Sequence, residues 1–495
     1  MLIEDLLADE SRLAEPPGGD RVFSGSAGGA PCGDLLRLSI EVDGGVIVRS
    51  TRAAEGCAVS RAASAVVAEA IETGTVLEAA TIDEAAVSSM LGGLSPTHLH
   101  AAELAVDSLS RALGAAAGSG IQLDREREGS DRVLVALSGG VDSAVAALLA
   151  QRAGHDVVAV TLKLWQDPAN DGERSCCSPE AVLRARRLAH AMKIPHFTLD
   201  LTDDFAERVV GDFTSGYAAG RTPNPCVRCN GEVRIDAMID LADRLGASRL
   251  ITGHYASIAG DREGPLLARP DDLAKDQTHM LAALAPDSLA RLEFPLARLA
   301  KAEVRAIAAE AELPVASQPE SQDLCFLAGE GKLGFLRRHA GLEDSQGDVV
   351  DGNGRVLGSH RGFHRYTVGQ RRGLGIGGGE PKYVIATDPE TNTVVVGDRE
   401  ELEAGRIVVS SLKLWRDPSA VEAVRLRSHQ EPISCRVVAL TENGSATLDL
   451  DAPALGVAAG QSVTLYSEKS VVGQAVLEGG IGMAGRELES VGHVG

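Results

Sequence analysis

No run of apolar residues in this chain approaches the roughly 20 needed to cross a bilayer. The longest candidate, residues 133–150, is broken by Gly139, Gly140 and Asp142. Cationic side chains are in deficit, 48 Lys and Arg against 70 Asp and Glu, for a net charge of −22. That balance excludes a generally basic nucleic-acid coat and leaves room only for a local basic groove. The deficit is densest at the start, where the first 125 residues hold 18 acidic and 8 basic side chains. Any RNA contact is therefore expected after that segment. Cysteine is scarce too: eight in 495 residues are too few for a disulfide scaffold. The opening MLIEDLLADE is acidic and does not read as a signal peptide. Together these features predict a cytoplasmic protein with reduced, reactive or metal-binding thiols. No solenoid-type repeat is present.

What is there is ordinary globular material, 44% hydrophobic and 24% charged. At about 100–200 residues per domain, the length predicts three or four domains. After a Gly- and Pro-rich start, LLRLSIEVDGGVIVRSTR reads as two strands around Asp43-Gly44-Gly45. Ala-rich helical spacing follows at 58–76 and 101–115. This predicts a small α+β unit over 1–118, with a linker at 119–131. Strands and helices then alternate: VLVALSG, VDSAVAALLAQRAG, HDVVAVTLKL, PEAVLRARRLAHAMK, HFTLDL, GEVRIDAMIDLADRLG and RLITGHYA. That rhythm predicts a doubly wound parallel α/β sheet over 132–328. Beyond about residue 345 short strands separated by Gly, Asp and Asn predict a closed or nearly closed small β-barrel.

Ser138-Gly139-Gly140-Val141-Asp142-Ser143 ends a strand and opens a helix. Glycines let a backbone approach phosphate oxygens, and a helix N-terminus presents unpaired N–H groups and partial positive charge. Ser138 and Ser143 add hydroxyls, and Asp142 can position magnesium or cap the helix. The plainer reading is a capped Ser/Gly turn. Three cysteines carry the second signal: Cys226 and Cys229 in TPNPCVRCN, and Cys325 in SQDLCFL. A lone Cys-x-x-Cys can be redox, zinc or incidental. Three cysteines without a fourth suit a [4Fe–4S] cluster with one open iron better than structural zinc. Zinc with a fourth, non-cysteine ligand and a disulfide–persulfide cycle between Cys229 and Cys325 are the other readings.

The motif SGGVDS resembles the loop of ATP pyrophosphatases, which cleave ATP between the α and β phosphates. From Val133 to about residue 480 the chain resembles the tRNA-specific 2-thiouridylases. The matching stretches are ALSGGVDSAVAALL, TLKLW, SCCSPEAV, GRTPNPCVRCN, TGHYA, KDQTHML, FPLARLAKAEVR, SQDLCFL, YTVGQRRGLGI and PKYV. The resemblance implies a pyrophosphatase-type α/β domain over 132–328, a small central domain over 329–402 and a C-terminal β-barrel over 403–495, and ATP-dependent 2-thiolation of the wobble uridine, at position 34, of Lys, Glu and Gln tRNAs, through an adenylated uridine. It implies an ATP site at Ala136, Leu137, Ser138, Gly139, Gly140, Val141, Asp142, Ser143, Leu162 and Gly253. The target base falls on Asn224, Pro225 and Cys226. Cys229 falls on the nucleophile and Cys325 on the persulfide cysteine. tRNA contacts fall on His254, Lys275, Asp276, Gln277, Arg427 and Gln461. Where many members carry Asp-x-x-Cys, this chain has Cys226-x-x-Cys229. That departure resembles iron–sulfur-dependent thiolases and favours Cys226, Cys229 and Cys325 as [4Fe–4S] ligands. ATP, magnesium, tRNA and a sulfur donor such as a cysteine desulfurase are the implied cofactors and partners. An amide-forming ligase with the same loop and a non-enzymatic iron–sulfur carrier are the rival functions.

GGAPCGD at 28–34, EGCAVSRAAS at 55–64 and THLHAAELAVDSL at 97–109 resemble an iron–sulfur scaffold of the NifU-like type. Cys32, Asp34 and Cys57 fall on its ligand positions. Ala101 stands where a third cysteine is expected, and His100 is the substitute ligand. A degenerate domain kept for docking is the alternative. Elsewhere, adjacent Cys176 and Cys177 read as structural or incidental and Cys435 as a buried apolar residue. Trp165 and Trp415 read as packing, Arg371-Arg372 as a phosphate-contacting or merely solvated loop, and His279 as a surface or RNA-edge residue.

Overall fold

The computed structural model describes residues 19–29, 33–124, 131–167, 179–319, 324–327, 329–377, 380–482 and 487–488. Cys32, Cys176 and Cys177 lie outside the described residues. The chain divides into two compact units: Met1–Thr202, Asp236–His254 and Arg291–Phe326 form the first, and Asp203–Ile235, Tyr255–Ala290 and Leu327–Gly495 form the second.

The first unit begins with a three-stranded antiparallel sheet, Val22–Gly28, Leu35–Asp43 and Val46–Glu55. Leu36, Leu38, Ile40 and Val42 alternate inward, as a half-buried strand requires. Asp43 pairs with Val46, so Gly44 and Gly45 form the two-residue turn, with φ of 57° and 83°. Both glycines therefore sit where hairpin turns demand positive φ. The helices Ala58–Ile71 and Leu99–Gly118 cover this small sheet.

The same unit carries a five-stranded parallel sheet. Its order is Leu292–Glu293, Leu250–Ile251, Arg132–Ala136, Asp156–Lys163 and His196–Asp200. Val133, Leu134, Val135, Val158, Ala159 and Val160 are all buried, the continuous apolar reading of strands covered on both faces. The strand expected from RLITGHYA shrinks to Leu250–Ile251, because only those residues find ladder partners.

Within this unit the Leu99–Gly118 helix packs on the edge strand His196–Asp200. A Cβ at Gly114 would come 2.7 Å from the Thr198 carbonyl oxygen. The His196 N–H donates to Ala80 O at 3.1 Å. Arg186 pairs with Asp107 at 3.1 Å, and Arg187 pairs with Glu103 at 2.9 Å and Glu84 at 3.3 Å. The N-terminal α+β part thus covers a sheet edge that would otherwise present unpaired backbone groups.

The second unit holds a six-stranded closed barrel, ordered Glu403–Leu414, Ala446–Leu455, Ile433–Leu440, Ala423–Arg425, Ser462–Ser467 and Ser470–Gly482. Glu403–Leu414 pairs with both Ala446–Leu455 and Ser470–Gly482, which closes it. Ile407, Val409, Val424, Leu448, Val463, Leu465 and Leu477 fill the interior. Cys435 joins them, as expected, and burial pushes its thiol up to about 12. A hairpin of Ser257–Asp261 and Gly264–Ala268 adds to the barrel sheet through Ala268 and Ser470. A separate four-stranded sheet over Gly347–Asp351, Val356–His360, Tyr383–Asp388 and Thr393–Gly397 packs Val349, Val384, Val394 and Val396 around Phe363.

Candidate functional site

In the first unit, the strand Arg132–Ala136 leads through Leu137, Ser138, Gly139 and Gly140 into the helix Val141–Arg152. The Leu137 N–H donates to Val160 O at 2.8 Å, and Thr161 Oγ1 donates to Leu137 O at 2.7 Å. The loop is thereby pinned to the neighbouring strand, on which Leu162 is buried. Gly139 has φ of 74°, a conformation that favours glycine. Ser143 Oγ ties the loop together: it accepts from Ser138 N–H at 3.1 Å, donates to Gly140 O at 3.0 Å and lies 3.1 Å from Ser138 Oγ. Gly140 stands at the N-cap and offers no side-chain cap. Asp142, on the first turn of that helix, is ion-paired with Lys301, whose Nζ lies 2.7 and 2.8 Å from its two oxygens. Gly253 abuts the same helix start, since a Cβ there would fall 2.7 Å from the Asp142 carbonyl carbon and the Ser143 nitrogen. His254 Nδ1 lies 2.9 Å from Thr252 Oγ1. Cys325 is half-buried in this unit.

In the second unit, Asn224 caps the short helix Pro225–Cys229, its Oδ1 accepting from Val227 N–H at 3.4 Å. Pro225 at the first helical position fits, because its missing N–H is not needed there. Cys226 and Cys229, three positions apart, share one face of that turn. Cys229 is 6% exposed and Cys226 half-buried. A π-helical turn, Asn230–Arg234, follows directly; such turns recur at functional sites. The anticipated helix GEVRIDAMIDLADRLG is thus split, with regular α geometry beginning at Ile235. Two thiols on one helical turn match the donor chemistry of an iron–sulfur or zinc centre.

The expected tRNA-contact segment is folded inward. The Asp276 carboxylate is 2% exposed and meets Arg269 and Arg425, each at 2.8 Å. Its other oxygen accepts from Thr278 N–H at 2.9 Å and from Thr278 Oγ1 at 2.6 Å. Burial opposes that charge, but these donors hold the carboxyl below its usual range. Gln277 Oε1 accepts from Tyr255 N–H at 2.8 Å. Lys275 is half-buried. Exposed Arg427 donates to Gly456 O, and Gln461 Oε1 is buried without a hydrogen-bond partner among the described residues. His279 corrects the expectation of a surface residue: it is 1% exposed, with Nδ1 2.8 Å from Thr464 Oγ1 on the barrel strand Ser462–Ser467.

The N-terminal cluster also assembles. Asp34 Oδ1 accepts from Cys57 N–H at 2.9 Å, and Oδ2 accepts from Ser60 Oγ at 2.5 Å and faces His100 Nε2 at 3.4 Å. The Ser60 hydrogen bond leads the causes that hold the Asp34 carboxyl below its usual range. The His100 Nδ1 proton goes to Thr97 O at 3.0 Å, which leaves Nε2 as a ligand facing Asp34 and Cys57. The ligand atoms of Asp34, Cys57 and His100 lie within 4.8 Å of one another, so the donor set fits a metal ion. Ala101, at the expected third cysteine position, is fully buried.

Four family profiles match in order. They are the NifU-like N terminal domain over 15–118, the tRNA methyl transferase HUP domain over 131–329, the tRNA methyl transferase PRC-barrel domain over 334–398 and the aminomethyltransferase beta-barrel domain over 407–477. A bifunctional protein NifU/MnmA of Rubrobacter xylanophilus is 44% identical over 468 residues, spanning 92% of this chain and 93% of that relative. The chain belongs to the bifunctional NifU/MnmA family. The tRNA-specific 2-thiouridylase MnmA of Thermobifida fusca is 44% identical over 70% of this chain and 95% of its own length. That of Chloroflexus aggregans is 42% identical over 69% and 96%. The bifunctional members thus join a NifU-like part to a whole MnmA-type chain.

Two residues in this NifU/MnmA chain escape motif reading. Lys301 sits in FPLARLAKAEVR, where nothing in the spacing marks its partner 159 positions away. His279 directly follows KDQT, and only the barrel, some 185 positions on, reveals its role. Among the described residues no helix is long and apolar enough to cross a membrane.

Proposed function

We propose that this chain is an ATP-dependent tRNA 2-thiouridylase that carries its own scaffold-type domain and works in the cytoplasm. The observation that carries the reading is the tied strand-to-helix loop at Ser138 to Ser143 on a chain of the NifU/MnmA family. ATP binds at Ala136 to Ser143, with Leu162 and Gly253 completing the pocket and magnesium accompanying the pyrophosphate. The loop N–H groups and the helix N-terminus hold the α phosphate. Oxygen O2 of the wobble uridine attacks the α phosphorus and pyrophosphate leaves. Sulfur at the sulfide level then attacks C2, the C2–O bond breaks, and AMP departs with the former O2.

Asn224, Pro225 and Cys226 face the flipped base. Cys226, Cys229 and Cys325 would hold a [4Fe–4S] cluster, which would supply sulfur at the sulfide level. The pair Cys226 and Cys229 on one helical face supports that donor set. Lys275, His254, Arg427 and Gln461 supply tRNA contacts, while Asp276 and Gln277 act by shaping the contact segment. Asp34, Cys57 and His100, with Cys32, take iron or a cluster as cargo from a sulfur-mobilising partner such as a cysteine desulfurase. The substrates are Lys, Glu and Gln tRNAs.

The test is nucleoside mass spectrometry on an unmodified Glu tRNA transcript incubated anaerobically with ATP, magnesium and sulfide. The expected result is 2-thiouridine at position 34, lost in Cys229→Ala and Ser138→Ala, with iron lost in Cys226→Ala. AMP release without thiouridine, undiminished in Cys229→Ala and Cys325→Ala, would point to an amide-forming ligase. Iron transfer without AMP would point to a carrier. An iron-free wild type that thiolates from a persulfide donor would replace the cluster by persulfide exchange between Cys229 and Cys325.

A further inference from the structure

The segment 278–283 of the second unit packs against the helix turn that carries Cys226 and Cys229. Asn230 Nδ2 donates to Met280 O at 3.1 Å, and a Cβ at Gly231 would lie 2.5 Å from the Ala283 Cβ. At the other end of the helix, Asn224 Nδ2 approaches His279 Nε2 at 3.5 Å. The segment is itself fixed to barrel strand Ser462–Ser467. Thr278 Oγ1 lies 2.8 Å from Tyr466 Oη, and His279 Nδ1 lies 2.8 Å from Thr464 Oγ1. Thr278, His279, Thr464 and Tyr466 are all essentially inaccessible to water.

The hydrogen-bond roles around His279 are determined by its neighbours. Asn224 Oδ1 accepts from Val227 N–H, so the opposite amide atom, Nδ2, is the one turned to the imidazole. An amide nitrogen only donates, so His279 Nε2 must accept and carry no proton. The proton of the neutral ring is then on Nδ1 and goes to Thr464 Oγ1. Burial and the nearby Arg425 charge, opposed by Asp276, keep the ring neutral. A charged ring would turn an N–H toward Asn224 Nδ2 and set two donors against each other.

We infer that His279 is a positioning residue that carries the geometry of the barrel, through Asn224, into the helix bearing Cys226 and Cys229. The inference rests on the proposed function only for the meaning of those cysteines; the contact itself stands apart from it. A barrel wall that orients a sulfur-handling turn gives the C-terminal domain a task beyond holding RNA. The long contacts at 3.4 and 3.5 Å suit a cap that tightens when the base-facing side of Asn224 is occupied.

The experiment compares His279→Gln, His279→Asn and His279→Ala in the full-length chain, stripped of metal by chelation. Glutamine places an acceptor near the Nε2 position and keeps the Asn224 contact. Asparagine reaches only the Nδ1 position and keeps the Thr464 contact. Alkylation of Cys229 is followed by peptide mass spectrometry, with Cys435 inside the barrel as the reference. Cys229 is expected to react at least about tenfold faster in the Asn and Ala variants than in wild type, with the Gln variant restoring protection and Cys435 staying slow throughout. Equal Cys229 rates in Gln and Asn variants, or Cys435 rising in step with Cys229, would overturn the inference. In parallel, thiolation kcat should fall about tenfold or more for Asn and Ala with KM for tRNA little changed, and recover with Gln. A wild type that makes no thiouridine sinks the functional reading alone, because the alkylation result does not depend on it.

Discussion

Lys301 Nζ grips both oxygens of Asp142, at 2.7 and 2.8 Å, on the first turn of the helix that follows the phosphate loop. Lys301 is 12% exposed at its side chain and Asp142 32%, so the pair is only partly screened by water. A carboxylate beside an incoming triphosphate repels it unless neutralised. Lys301→Met is therefore expected to slow single-turnover pyrophosphate release by about 10–100-fold. Lys301→Arg should recover part of the rate. Unchanged release in the Met variant would remove Lys301 from the account.

Gly253 offers a steric test of the same place. A methyl group there meets backbone atoms of Asp142 and Ser143 at 2.7 Å, and backbone cannot swing aside as a side chain can. Gly253→Ala should cost about 1–3 kcal/mol of stability by overpacking and raise KM for ATP. Gly139→Ala acts differently, through its φ of 74°, with neighbours at an easier 3.4 Å. It should cost about 1–2 kcal/mol without the same steric displacement. Calorimetry and ATP titration of both variants check the contrast, and wild-type ATP affinity in the Gly253→Ala variant would contradict it.

Acid should weaken the second unit through His279. Its pKa falls from 6.5 to about 4, by burial first and Arg425 second, against Asp276. Between those values the unfolded chain takes up a proton that the folded ring refuses. The contribution is thus complete above pH 6.5, declines as pH falls toward 4 and is flat below. The full loss is roughly 3 kcal/mol. Denaturant midpoints at pH 7 and pH 4 should differ less in His279→Gln than in wild type, and identical acid sensitivity would contradict the assignment.

The Asp34, Cys57 and His100 cluster predicts a thiolate-bearing metal site. Cobalt loaded into the chain should show a sulfur-to-metal charge-transfer band that weakens in Cys57→Ser. His100→Ala should lower cobalt affinity by about tenfold or more. Spectra unaffected by either change would assign the band to the other cysteines.

Local signals made much of this legible in the sequence. Asp43-Gly44-Gly45 announced its hairpin because turn chemistry is local, and SGGVDS announced a strand-to-helix phosphate loop for the same reason. His279 reads as exposed in the sequence because the barrel strand that buries it, with Thr464 and Tyr466, arrives only in the folded chain. Lys301 is silent in the sequence because an ion pair over 159 positions leaves no periodicity. Asp276 lies within a recognisable motif, yet its carboxylate is occupied by Arg269, seven positions earlier, and by Arg425 from a barrel strand far along the chain. The edge strand His196–Asp200 was readable, but its cover by the Leu99–Gly118 helix was not, since a glycine such as Gly114 does not name what it approaches.

The most direct measurement follows an oxygen atom. A tRNA transcript carrying heavy oxygen at O2 of the wobble uridine is incubated with ATP, magnesium, sulfide and the full chain, and the AMP is weighed by mass spectrometry. The account predicts one heavy oxygen in the AMP phosphate for each thiouridine formed. Heavy oxygen that stays in the tRNA, or passes to water while AMP remains light, would contradict adenylation of the base.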